Sequence, residues 1–312
     1  MLHKNGNKEV TLIGYGAQGQ AWAQNLRDRG YFVKVFLRPS SPSLNKVRKD
    51  KFEIVTSLKE SCLILLLIPD QAHKDFFEDN SDQINNEAVI IYAHGASLVE
   101  HQWQLKYPEY FHILLAPKAI ASELRWQFKN EGKIGAVYSV EFVIKKTKQI
   151  EEAILQIAKD LGITAGPYKV TFEQETQADL FSEQSLLCGL LPYADKKCFD
   201  FLVKKGIPEE LAYLEAWHEV KLIGNAMDKL GPLDFFKLIS PHAFTGAVKA
   251  KSMLLNESFD QAHKNLFSDI VTGKFFEEGN SKETETQLEN ELDYWKKSLI
   301  QKTYNEIKPK LT

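Results

Sequence analysis

Cysteine is scarce. The 312 residues contain three, Cys62, Cys188 and Cys198, too few and too scattered for a disulfide framework or a clustered Cys-rich zinc site. Two of them lie within apolar runs and read as reduced core residues. Long apolar runs are also missing: Cys62 to Ile68 falls far short of the roughly 20 residues a membrane helix needs. The first residues, Met1 to Lys8, are polar and lack the apolar segment of a secretory signal, so a soluble cytoplasmic protein is expected. Charge of one sign is not in excess. Lys plus Arg is 39 against 42 acidic residues, a formal net charge of −3, which gives no footprint for nucleic acid. No repeat or low-complexity tract marks a solenoid.

What is present describes an ordinary globular chain, 44% hydrophobic and 26% charged, long enough for about two domains. The first part alternates apolar runs with helical segments. The runs are Val10–Ile13, Phe32–Leu37, Leu63–Ile68, Ala88–Tyr92, Ile113–Ala116 and Ile134–Val140, with helices over Ala21–Arg29 and Ser57–Glu60 between some of them. Continuous apolar runs suit parallel strands covered on both faces, and their alternation with helices predicts a βαβ sheet. After Pro167 the strand signal fades. Helices are expected over Glu175–Leu191, Tyr193–Lys205, Glu209–Leu230, Ser258–Val271 and Glu283–Glu306, with Glu277–Glu291 a solvated face or loop. The segment Leu211–Leu230 is apolar on more than one face and belongs inside a bundle or a subunit interface. The expected fold class is therefore α/β, a Rossmann-type domain over 1–170 followed by an all-α domain over 171–312.

Gly14-Tyr15-Gly16-Ala17-Gln18-Gly19 follows the first strand and opens a helix. In this G-x-G-x-x-G pattern the first glycine allows the turn and the second admits a pyrophosphate. The third lets helix and sheet pack closely, and the helix N-terminus offers free N–H groups to the phosphates. The alternative is a tight strand-to-helix turn without a ligand. After the second strand comes Arg38 with Ser41 and Ser43 in place of the usual acidic residue. An arginine with hydroxyls suits the 2′-phosphate of NADPH, against the plainer reading of a polar loop. Lys46, Arg48, Lys49 and Lys51 help steer that cofactor or simply end a helix.

In the helical part, Asp179 and Glu183 are four apart, as are Glu215 and Glu219. Each pair shares one helix face, and each lies in an apolar stretch where an unpartnered carboxylate is costly. Two facing pairs would make an oxygen-rich site suited to Mg²⁺. His218-Glu219 begins like a zinc motif, but residue 222 is Leu. Trp103, Trp126 and Trp217 read as core or interface anchors.

These residues resemble ketol-acid reductoisomerase in its short form, from about residue 10 to 271. The markers are the glycine loop, Leu37-Arg38 with its serines, Ile68-Pro69-Asp70, Ala93-His94-Gly95 and Ala116-Pro117-Lys118. They continue through Thr171-Phe172-Glu173 to Asp179-Leu180-Phe181-Ser182-Glu183-Gln184, then Glu215 to Ile223, and Ile239-Ser240. The resemblance implies Mg²⁺-dependent alkyl migration in a 2-aceto-2-hydroxy acid such as 2-acetolactate. NADPH-dependent reduction to a 2,3-dihydroxy acid follows, in branched-chain amino acid biosynthesis. It implies two Mg²⁺ ions, bridged by Asp179, with Glu183 on one and Glu215 and Glu219 beside the second. It makes Lys118 an active-site lysine and places His94 beside the nicotinamide. Ser240 would contact substrate, and Pro69 and Asp70 would line the cofactor. It also implies a knotted helical domain that forms a homodimer, the second acidic pair and the serine coming from the partner.

The chain departs from the family at three loops, and its leader before Val10 is expected to be shorter and its tail past Gly273 to match poorly. Ala119-Ile120-Ala121-Ser122 replaces a Gly-Pro-Gly-His-like stretch after Lys118, and Pro241 to Gly246 replaces Asn-Thr-Ala-Glu-Tyr-Gly. Gly95-Ala96-Ser97 stands where a Phe-Asn-Ile-like stretch is usual. Kept metal carboxylates beside altered walls leave open a related Mg²⁺/NADPH reaction on another 2-keto or 2-hydroxy acid. A non-catalytic dinucleotide-binding scaffold is the remaining alternative.

Overall fold

The computed structural model describes residues 8–143, 145–279 and 281–311; the polar leader Met1–Asn7, and Asn280 within the acidic stretch, lie outside the described residues. The chain divides into two units, Met1–Thr176 and Gln177–Thr312.

In the first unit the apolar runs become strands β1 (Glu9–Ile13), β2 (Phe32–Phe36), β3 (Glu53–Val55), β4 (Leu63–Leu66), β5 (Val89–Tyr92), β6 (Phe111–Pro117), β7 (Gly135–Ser139) and β8 (Ala165–Lys169). They form one sheet in the order β3-β2-β1-β4-β5-β6-β7-β8, a Rossmann-like arrangement extended by two strands. Helices α1 (Ala17–Asp28), α2 (Leu44–Lys49), α3 (His73–Asn80), α4 (Ala96–His101), α5 (Trp103–Lys106), α6 (Ala121–Lys129) and α7 (Thr147–Leu161) connect them. Alternating side chains feed two cores. Leu63 and Leu65 join Trp22, Leu26 and Ile154 in one, while Ile64 and Leu66 join Phe77, Leu98 and Trp103 in the other.

Several expectations change here. The sheet is not wholly parallel, because β7 runs antiparallel to β6. Ser57–Glu60, read as a helix, is a turn closed by Ser61 N–H on the Leu58 carbonyl at 2.9 Å. So short a segment has too little helix to offset nucleation, and Leu58 is buried there as an anchor. Cys62 is half-buried, and Cys188 and Cys198 are exposed, so none is a core residue. Trp103 is buried and Trp217 half-buried, but Trp126 is exposed.

Helix α8 (Phe172–Ser182) runs unbroken through the division between the units. The second unit continues with α9 (Leu190–Lys204), α10 (Glu209–Tyr213), α11 (Glu219–Leu238), α12 (Pro241–Leu254), α13 (Glu257–Val271), α14 (Lys274–Gly279), α15 (Lys282–Lys297) and α16 (Leu299–Ile307). Two π turns, Glu183–Leu187 and Leu214–His218, interrupt this series. The helix expected over Glu209–Leu230 is therefore broken at Leu214 and continues to Leu238 across Gly231, whose φ of +71° only glycine adopts readily. The last expected helix is two, divided at Ser298, whose hydroxyl accepts the Gln301 N–H. The acidic stretch is mainly α14 and α15, not a loop. Phe199, Tyr213, Ala216, Ile300 and Ile307 make the unit's small core. No residue of α11 or α12 is buried within the single chain, so of the apolar segment Leu211–Leu230 only its first part, with Ala212, Tyr213 and Ala216, is packed inside its own chain. No described helix is long and apolar enough to cross a membrane.

Candidate active site

Every loop that the sequence singles out in the first unit lies at a carboxyl end of a strand. The glycine loop follows β1, Arg38 follows β2, Pro69 and Asp70 follow β4, His94 follows β5 and Lys118 follows β6. Open α/β sheets bind ligands at these ends. Gly14 has φ +94°, and a Cβ there would meet Ile68 Cγ2 at 2.6 Å and Leu67 O at 2.8 Å. A Cβ on Gly19 would stand 2.9 Å from Gly14 O, whereas one on Gly16 would meet nothing within 4 Å. Two glycines thus serve packing, and Gly16 leaves open space at the start of α1. The first N–H groups of α1, from Ala17 onward, have no acceptors within the helix, and Gly16, Ala17 and Gln18 line that space. A cleft of about 260 Å³ lies here, its walls including Gly16, Ala17, Gln18, Pro69, Asp70, His73 and His94. An open glycine, unmatched helix N–H groups and a cleft between strand ends fit a dinucleotide pyrophosphate.

The loop after β2 is a chain of turns. Ser41 N–H donates to Arg38 O at 3.0 Å, Ser43 N–H to Ser41 Oγ at 3.3 Å, and Val47 N–H to Ser43 O at 3.0 Å, leading into α2. Arg38 is exposed and Ser41 and Ser43 are half-buried. Lys46, Arg48 and Lys49 lie in the last turn of α2, where cations offset the helix dipole. At the other side of the cleft, burial pushes the Asp70 carboxyl up, an effect opposed by His94.

Glu175, which the sequence reading did not single out, is the hub of the first unit's site. It is buried on the first turns of α8. Its Oε1 accepts from Lys118 Nζ at 2.6 Å and its Oε2 from the Gly95 N–H at 2.7 Å, with His94 Nδ1 3.8 Å from Oε2. Gly95 permits this approach, since a Cβ there would meet Thr176 Oγ1 at 2.5 Å and Glu175 Oε2 at 2.7 Å. His94 Nδ1 accepts the Ala96 N–H at 2.8 Å, which places the proton of the neutral ring on Nε2. Asp179 is one turn further along α8.

The remaining predicted residues belong to the second unit. Glu183 is exposed and opens the first π turn. Glu215 lies in the second π turn and Glu219 follows it at the start of α11, both exposed. Each acidic pair thus borders a π turn, a distortion frequent at functional sites. Ser240 is exposed, and its hydroxyl accepts the Ala243 N–H at 3.2 Å as the N-cap of α12.

The two halves match two family models in order. One, acetohydroxy acid isomeroreductase, NADPH-binding domain, covers residues 5–166; the other, ketol-acid reductoisomerase, C-terminal domain, covers 172–311. The chain is 35% identical over 275 residues to a ketol-acid reductoisomerase (NADP(+)) of Clostridioides difficile (strain 630), covering 86% of this chain and 82% of that one. It is 34% identical over 308 residues to the Helicobacter pylori (strain HPAG1) protein of the same name, covering 96% and 89%. A solved NADH-preferring ketol-acid reductoisomerase from an uncultured archaeon superposes with a TM-score of 0.89 at 25% identity, over 96% of this chain and 94% of that one. Matched through both units and over nearly its whole length, the chain belongs to the ketol-acid reductoisomerase family and is an enzyme of that oxidoreductase type.

Proposed function

We propose that the chain catalyses Mg²⁺-dependent alkyl migration in a 2-aceto-2-hydroxy acid such as 2-acetolactate, followed by reduction with NADPH to the 2,3-dihydroxy acid. The observation that carries this reading is the buried Glu175, which ties Lys118, the backbone of Gly95 and the neighbourhood of His94 to the helix bearing Asp179. When bound, NADPH supplies hydride, and a pair of Mg²⁺ ions supplies Lewis acidity.

In this reading Gly14, Tyr15, Gly16, Ala17, Gln18 and Gly19 form the pyrophosphate loop. Arg38, Ser41 and Ser43 take the 2′-phosphate, and Pro69, Asp70 and His94 border the nicotinamide end. Asp179, Glu183, Glu215 and Glu219 hold the metal pair, and Ser240 meets the substrate carboxylate. Lys118 brings a positive charge and a hydrogen-bond donor to the substrate oxygen on which negative charge develops. Glu175 aims that ammonium. His94, holding its proton on Nε2, presents a second donor beside the cofactor.

Glu215, Glu219 and Ser240 are exposed in the single chain. A homodimer formed through the helical unit, in the knotted fold the resemblance implies, supplies them from the partner. Turnover of 2-acetolactate with NADPH should require Mg²⁺ and disappear in Asp179→Asn. A folded protein that binds NADPH but gives no such turnover would move the reading to the altered walls after Lys118 and Ser240, and so to another 2-keto or 2-hydroxy acid.

A further inference from the structure

The loop proposed to carry the 2′-phosphate is short, exposed at Arg38 and followed by a helix of only six residues. Such a helix has little stability of its own, so what it is fastened to decides where the loop sits. Val47 is fully buried, which fixes the middle of α2. Its far end is held by a different device. Tyr15, within the glycine loop and 1% exposed, donates its phenolic hydrogen to Asp50 Oδ2 at 2.7 Å, and Asp50 is the C-terminal cap of α2. Arg27 of α1 donates to the Asp50 carbonyl at 2.6 Å while lying over the Phe52 ring, 4.3 Å from its centroid. The Tyr15 ring in turn meets Phe52 edge-on at 5.8 Å.

We propose that Tyr15 and Asp50 form a strut that fixes the Arg38–Ser43 loop relative to the glycine loop, making them positioning residues for the choice of NADPH over NADH. The inference rests on the NADPH reading above. The turns from Arg38 to Ser43 are hydrogen-bonded continuously into α2, so a shift at Asp50 reaches the loop as movement of one short body. The pyrophosphate and the 2′-phosphate belong to one ligand, and both subsites are satisfied together only if their loops keep a fixed spacing. NADH has no 2′-phosphate and makes no use of that spacing. Burial and the Asp50 carboxylate both push the Tyr15 phenol up, so it remains a donor at working pH.

The test is the dissociation constant of each cofactor, read from reduced-nicotinamide fluorescence on the full chain, with melting temperatures alongside. Asp50→Ala should weaken NADPH about five- to tenfold, the loss of one hydrogen bond's worth of ordering, and leave NADH within about twofold. Tyr15→Phe should weaken NADPH by the same factor. The double variant should be no weaker than either single one to within about twofold, since both remove one interaction. Single variants with unchanged NADPH affinity, equal losses for both cofactors, or additive losses in the double variant would each overturn the strut. Wild-type protein that fails to bind NADPH would overturn the functional reading and the inference together; wild-type binding with unaffected variants would overturn the inference alone.

Discussion

Two buried histidines show how a side chain's partners fix its protonation. His112 Nε2 faces the Tyr107 carbonyl at 3.0 Å, so it carries the proton, and Nδ1 accepts from the Tyr92 hydroxyl at 2.8 Å. His73 repeats the pattern, donating to Ile68 O and accepting from Ser97, whose oxygen also takes the Trp103 indole N–H. Burial pushes both rings down to about 4. An unfolded imidazole titrates near 6.5, so between those values the unfolded chain holds more protons than the folded one. Stability therefore rises with pH through that window and is lost as pH falls from about 6.5 toward 4. His112→Gln should remove its share of the slope, on the order of 3 kcal/mol between neutrality and pH 4. Denaturant midpoints at several pH values would show it, and parallel wild-type and variant curves would refute it. Glu175 makes a kinetic prediction at the same scale. Glu175→Gln keeps the volume and an acceptor for Gly95, but takes the charge from Lys118. Turnover should fall roughly 10²-fold or more with NADPH affinity nearly unchanged, and a drop in cofactor affinity instead would place Glu175 in binding.

At the scale of elements, the packing of α4 on α8 depends on Gly95. Any Cβ there would press on Thr176 Oγ1, Glu175 Oε2 and, at 3.0 Å, the Phe172 carbonyl. The last of these is backbone and cannot rotate away. Gly95→Ala should displace the first turns of α8, depress turnover and cost about 1–3 kcal/mol in stability, more than Gly16→Ala costs, because a Cβ on Gly16 has open space. Melting curves and rates of the two variants test this, and equal stability losses would sink it. The same elements show what the sequence can tell. Interior strands such as β4 and β5 are legible because burial on both faces leaves an unbroken apolar run. The two strands that escape the reading are the sheet's edges: β3 has only Glu53-Ile54-Val55, and β8 contains Gly166 and Pro167, which an edge tolerates and an interior strand does not. The acidic pairs are legible because four-residue spacing between apolar neighbours is unusual. The π turns beside them are not, since a helical period carries no mark of one added residue. Glu175 was hidden among the charges at the start of α8, where acidic side chains are ordinary dipole partners.

The whole molecule poses the question of what covers α11 and α12. Leu222, Ile223, Met227, Leu233 and Phe236 are exposed on the first, and Phe244 and Val248 on the second. The Phe236 and Phe244 rings lie 5.4 Å apart, so the apolar surface runs from one helix to the next. Monomers rarely leave such a surface in water, and a second copy of the chain would cover it while bringing Glu215, Glu219 and Ser240 to the site of its partner. That arrangement is tested by mixing. Asp179→Asn and Glu215→Gln chains should each be inactive alone, because in a symmetric dimer every site then has one defect. After dissociation and reassembly together, a mixed dimer has one site with both defects and one with neither, so activity should return to up to about a quarter of the wild-type value. Ile223→Glu with Met227→Glu should yield a monomer in sedimentation and abolish that recovery, since burying two carboxylates in an apolar interface is too costly. A mixture that stays inactive although the chains exchange would show that each site is built within one chain, and a monomeric wild-type enzyme with full activity would show the same.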